Sequence, residues 1–304
     1  MENLMEVSMI TRIVTPLGIA IIMLGMGLSL TLDDFKRVWV QPKPIFIGIL
    51  LQIVGLPILG FTFIFILKLD PMLAAAVMLL SACPGGAITN LVSFISKGDA
   101  ALSVSLTGIN SFITVLTIPL VTTFSLNYFL GANLAEKVNV TVLSIGIIII
   151  TIPPIIMGMI IKAKAPVLAK KSESWVRKGT IIFILFLACF ACYSDKHIFL
   201  ANYRELSLYA VSLALLSLLL GGVVGIITRL PRKQVLTLSI EVGLHNSAMA
   251  IVIALSFLGM PALGVFSAFY LIVEYIFSGL LMTTMNSSIG TRFLGLGAVP
   301  TPET

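Results

Sequence analysis

The sequence predicts an all-α protein that crosses a membrane about nine times, and three observations predict it. Hydrophobic residues make up 58% of the 304 positions and charged residues only 11%, too little charge to cover a soluble domain of this length. Apolar stretches of roughly 20 residues, enough to span a bilayer, recur along the whole chain. The charges are also segregated: all nineteen Lys and Arg, and all but two of the thirteen Asp and Glu, fall between those stretches. The net charge of +6 therefore reads as loop bias and calls for no nucleic-acid partner.

Nine spans can be drawn in order: Ile13–Leu32, Pro44–Leu67, Met72–Ser96, Ala100–Phe129, Val140–Ile161, a short Gly179–Ser194, Leu206–Thr228, Val235–Leu258 and Pro261–Ser288. The start, "MENLMEVSMITR", is acidic and no small-residue cleavage site follows the first apolar run, so that run reads as a retained span. Fourteen basic residues fall in the loops of one side and five in those of the other. This bias predicts an outside N-terminus and a cytoplasmic C-terminus in a cell membrane. The loop "KAKAPVLAKKSESWVRK" (162–178) carries the largest basic cluster and reads as a topology signal that meets lipid headgroups. Trp39 and Trp175, near span ends, read as interface anchors.

Two spans contain what lipid should exclude. Glu241 and Glu274 are the only carboxylates inside apolar runs. A charge at a helix centre costs about 2.5–3.5 kcal/mol on insertion scales, so each should face a cavity, an ion or a partner. In the third span, "LLSACPGGAITNLVSF", Pro84 removes a backbone donor and clashes with the preceding turn, while Gly85 and Gly86 lower helix propensity. The helix should unwind there, and irregular backbone at membrane depth is tolerated only against protein or a water-filled cavity. Thr89 and Asn90 follow the break directly. The eighth span repeats the pattern in "SIEVGLHNSAMA", where Gly243 precedes Asn246. The two broken spans are five spans apart, an odd number, so the units that hold them run in opposite directions. Broken helices at matching places in inverted units point to a transporter's binding site.

These residues carry a family resemblance. "LGMGLSLTLDDFKRV" (24–38), "CPGGAITNLVSFISKGDAALSVSLT" (83–107) and "SIEVGLHNSAMA" (239–250) resemble the bile acid:sodium symporter family over nearly the whole chain. The resemblance implies two inverted five-helix repeats, here 1–130 with its first helix absent and 131–304. It also implies a panel domain and a core of about 72–129 plus 232–288, with 44–67 or 206–228 beside it, in which the two broken helices cross. Sodium is the implied coupling ion, with no other cofactor or metal. A first sodium site would comprise Thr89, Asn90, Ser103, Thr107 and Glu241; these are hydroxyl, amide and carboxylate oxygens, which suit a hard cation. A second would comprise Gln52, Glu241, Val242, Leu244 and His245. There the imidazole departs from the family's glutamine, so the second ion should be weakened or replaced by a proton. Asn246, Asn90 and Glu274 would meet the solute, an organic anion that is bile acid-like or a smaller monocarboxylate; a carboxylate at 274 disfavours a bile acid and leaves a smaller monocarboxylate or a molecule with a positive group.

Other chemistry finds little in the sequence. Cys83, Cys189 and Cys192 lie at membrane depth and are odd in number, against a disulfide framework. No HExxH, P-loop or GxSxG pattern occurs, and the chain has only two histidines. The readings left open beside sodium symport are a proton-coupled or uncoupled transporter, a sensor or channel on the same fold, and an intramembrane enzyme that uses Glu241 and His245 as an acid–base pair.

Overall fold

A computed structural model describes residues 10–131, 140–194 and 196–295. The acidic start at Glu2 and Glu6, the region around Asn133, and Asp195 and Glu303 lie outside them. The described residues are nearly all helical: α1 (Thr15–Ser29), α2 (Leu32–Val40), α3 (Pro42–Leu67), α4 (Pro71–Ala82), α5 (Ala87–Ile95), α6 (Ala100–Leu130), α7 (Val140–Lys164), α8 (Pro166–Ser194), α9 (Lys196–Ile227), α10 (Arg232–Gly243), α11 (Ser247–Phe257), α12 (Pro261–Asn286) and α13 (Ser288–Leu294).

Among the described residues, six helices are long and apolar enough to cross a membrane: Arg12–Ser29, α3, α6, α7, Leu200–Ile227 and α12. The other three predicted spans fall on shorter apolar pieces. The third becomes α4 and α5, the eighth becomes α10 and α11, and the sixth lies within α8 as Lys178–Tyr193. Large apolar side chains such as Ile149, Leu219 and Ile227 project outward from the spans, as they must where the solvent is hydrocarbon.

Local sequence explains most helix ends. Asp70 accepts from the amides of Met72 and Leu73 at 3.0 and 3.1 Å and precedes Pro71, so α4 starts with its first donors satisfied. Asp99 caps α6 through the Leu102 amide at 3.0 Å. The backbone N–H and hydroxyl of Thr31 both donate to Asp34, which ties the start of α2. The stretch 162–178, predicted as a loop, is helical except at Ala165, where α7 ends and Pro166 opens α8. Lysine and arginine are good helix formers, and water or headgroups can solvate them on a helix as well as on a loop.

Helix α1 packs along α7 at very short range. A Cβ on Gly27 would lie 2.2 Å from the Ile155 carbonyl oxygen, and one on Gly158 2.4 Å from that of Leu24. Small residues replace the hydrophobic effect as the means of helix association where lipid is the solvent. Helices α4, α6, α9 and α12 share the largest apolar core, including Leu79, Ile118, Leu213 and Phe266, and α7 joins it through Leu143 and Ile147. The first broken helix contributes α4 to this core, and the second contributes Met249 and Ala250 of α11.

Candidate functional site

The breaks meet each other. Pro84 stops α4, Cys83 and Leu244 turn extended, and Gly85 pairs with His245 in an isolated antiparallel bridge. The Asn246 amide donates to the Pro84 carbonyl at 2.7 Å. Each break thus supplies the other with hydrogen-bond partners that a straight helix would have found within itself.

Glu241, one turn before the second break, faces the first. Its carboxylate is fully buried and accepts from Ser103 at 2.5 Å and from Thr107 at 3.1 Å. The same two hydroxyls lie 2.9 and 3.1 Å from Asn90 Oδ1. Thr89 approaches Thr107 at 3.3 Å and gives its hydroxyl proton to the Gly86 carbonyl. Ser103 and Thr107 are four apart and share a face of α6. Thr89, Asn90, Ser103, Thr107 and Glu241 therefore converge from three helices, α5, α6 and α10, into one oxygen-lined cluster. Two hydroxyl protons face three acceptor oxygens, those of Glu241 and Asn90, so the cluster has more lone pairs than hydrogens to fill them. Among the described residues no Lys, Arg or His pairs with Glu241, and the ion pair is the exposed Asp33–Lys36 contact at 2.8 Å. There Lys36 holds the Asp33 carboxyl below its ordinary range by hydrogen bond and charge.

Gln52 stands on the other side of the break. A π-helical turn, Leu51–Gly55, interrupts α3 at this point, a distortion that often marks functional positions. The Gln52 amide donates to the Glu241 carbonyl at 2.9 Å and its oxygen accepts from Asn110 at 2.7 Å. Val242 and Leu244 bury their side chains in separate apolar clusters, so only their carbonyls are available to an ion. His245 makes no side-chain hydrogen bond to Gln52 or Glu241. Its ring stacks on Tyr270, with centroids 5.1 Å apart and planes 10° apart, and neither nitrogen makes a well-formed hydrogen bond although the Val242 carbonyl is near. Glu241 and His245 share no hydrogen bond, so the geometry does not assemble an acid–base pair.

Glu274 occupies a separate position. It is buried, and its carboxylate accepts from Ser247 at 2.8 Å at the start of α11. Asn246 uses its side-chain oxygen to cap α11, accepting from the Met249 amide at 3.0 Å, which leaves its NH2 group available. Sequence reasoning missed Asn110 and Tyr270. Asn110 continues the 103–107 face of α6 at the next three-residue step, a signal that was present. Tyr270, four residues before Glu274, donates to the Gly243 carbonyl at 2.8 Å; its phenol looks apolar in a hydropathy pattern.

Fold and site together define a polytopic helical membrane protein whose polar centre is built from two broken helices. Residues 16–203 match the sodium bile acid symporter family, and the chain belongs to that family. It is 30% identical over 251 residues to a chloroplastic protein of Arabidopsis thaliana described as a probable sodium/metabolite cotransporter, covering 81% of this chain and 60% of that one. A sodium-dependent transporter of Bacillus subtilis is 29% identical, over 78% of this chain and 72% of its own. The sodium-dependent organic anion transporter of Bos taurus is 24% identical, over 80% and 64%. The chain thus spans less than two thirds of the length of the plant and bovine relatives.

Proposed function

We propose that this protein is a secondary active transporter that moves a small organic solute with sodium by alternating access. The observation that carries the proposal is a fully buried carboxylate, Glu241, surrounded by hydroxyl and amide oxygens and without a basic partner. Such a group needs a proton or a cation to be stable at membrane depth. Three hydroxyls, an amide oxygen and one carboxylate suit sodium in number and hardness. The family's name and the names of the relatives point the same way.

Occupancy couples the halves because Glu241 comes from one broken helix and Thr89 and Asn90 from the other. Sodium at this cluster stabilises whichever arrangement keeps both breaks together, and an ion shifts a population only by its differential affinity. A second sodium at Gln52 and the 241–244 carbonyls is supported less, because His245 turns its ring to Tyr270. The reading is therefore one sodium per cycle. The solute would meet Asn246 and Glu274 beside the crossing. An anion would need Glu274 neutral, so solutes that offer a hydrogen-bond donor or a positive group fit this carboxylate better.

The test is a thermal-stability titration of the purified protein with sodium against potassium, in wild type and Glu241→Gln. Sodium-specific stabilisation that the variant loses supports the site. An equal response to both ions overturns sodium coupling and leaves proton coupling as the reading.

A further inference from the structure

A second polar feature lies far from the crossing. Ile226, Leu230, Arg232, Val235, Arg292 and Phe293 line a cavity of about 560 Å³. It lies between the end of α9, the start of α10 and the short helix α13 that ends the described chain. Two arginines and four apolar side chains line it, with no carboxylate among them. Arg232 uses one nitrogen to hold the Arg292 and Phe293 carbonyls, at 3.3 and 2.8 Å, and so keeps the rest of its guanidinium for a ligand. The Arg292 side chain makes no hydrogen bond among the described residues. Asp99, the acidic residue beside Gln234 in the first turn of α10, is already committed to capping α6 and to Gln234. The apolar wall continues outward onto the lipid-facing side of α9, where Ile226 is 64% exposed, and Phe293 at the rim is 41% exposed.

We infer that this cavity binds an anionic phospholipid, with the headgroup phosphate between Arg232 and Arg292 and an acyl chain along Ile226 and Phe293. Charge complementarity selects the headgroup, since guanidinium pairs form bidentate contacts with phosphate. The continuity of the apolar wall with the membrane face selects a lipid over a soluble anion. The site also lies among the residues that make up the more basic side of the chain, and basic pockets on that side of membrane proteins meet anionic lipid. Arg232 is the first residue of α10, and Glu241 follows about 13 Å along the same helix at 1.5 Å per residue. A bound lipid would tie the outer end of the cation-binding half-helix to α13.

Native mass spectrometry and melting curves of the purified full chain test this. The probes are phosphatidylglycerol, phosphatidylcholine and inorganic phosphate. Wild type should retain phosphatidylglycerol in preference to phosphatidylcholine and melt higher with it. Arg292→Gln, which removes no internal hydrogen bond, should cut that binding about fivefold, and adding Arg232→Gln should cut it further. Substituting Lys68 by Gln, just after α3 and among the few basic residues of the less basic side, should leave it unchanged. Equal loss in the Lys68 variant, undiminished binding in the arginine variants, or no lipid preference in wild type would each overturn the site. Inorganic phosphate that reproduces the full stabilisation would overturn the lipid assignment.

Discussion

At the residue scale, the centre rests on which oxygens face Glu241. Sodium at about 100 times its Kd stabilises a binding fold by about 2.7 kcal/mol. We expect the Glu241→Gln variant to lose the whole sodium-specific part of that gain while keeping the same melting temperature in potassium to within a few degrees. Protons compete with sodium for the carboxylate, so the apparent sodium Kd of wild type should rise as pH falls from 8 to 5.5. A sodium titration by melting temperature at both values reads it, and unchanged affinity would remove the carboxylate from the site. Gly85 is needed for space. A Cβ there would sit 2.9 Å from Glu241 Oε2 and 3.4 Å from its carbonyl, so Gly85→Ala must move the carboxylate and should weaken sodium binding by about 1–3 kcal/mol, the usual scale of overpacking. Asn110 positions Gln52 without touching the cluster; Asn110→Ala leaves the Gln52 oxygen without that donor and should cost about 1–3 kcal/mol of stability.

At the element scale, the breaks were legible because Pro84, Gly85 and Gly86 oppose helix by a mechanism independent of context. The π-helical turn at Leu51–Gly55 was not read, although "LLQIVGLP" carries a signal for it: Gly55 lowers helix propensity and Pro57 offers no N–H to the Ile53 carbonyl. What only the structure shows is that Gln52, within this turn, donates to the Glu241 carbonyl. The contact of α1 with α7 offers a paired expectation. Gly27→Ala places a Cβ against backbone atoms of Ile155 that cannot retract, and should lower the melting temperature. Gly179→Ala, on α8 with nothing within 4 Å of its Cβ, should raise stability by about 0.4–1 kcal/mol. Parallel melting curves of the two variants decide it, and similar shifts would mean that α1 and α7 do not pack at this distance.

At the scale of the whole molecule, one coupling ion should appear as a sodium dependence of uptake into proteoliposomes with a Hill coefficient near 1, and a coefficient near 2 would restore the second site. Composition and charge segregation alone determined that this chain is a helical membrane protein, because lipid permits so few alternatives. They also exposed Glu241 and Glu274, since a carboxylate inside an apolar run stands out against its neighbours. Thr89, Asn90, Ser103 and Thr107 were readable as candidates only through the resemblance to a family; hydroxyls on helices are common and spacing by itself does not say what they face. Only the tertiary structure decided that these four gather around Glu241, that Gln52, itself held by Asn110, bonds its backbone carbonyl, and that His245 turns to Tyr270. The reason is physical: the residues lie up to 189 positions apart in the chain, and helix crossing, which depends on packing across all the spans together, sets their distances.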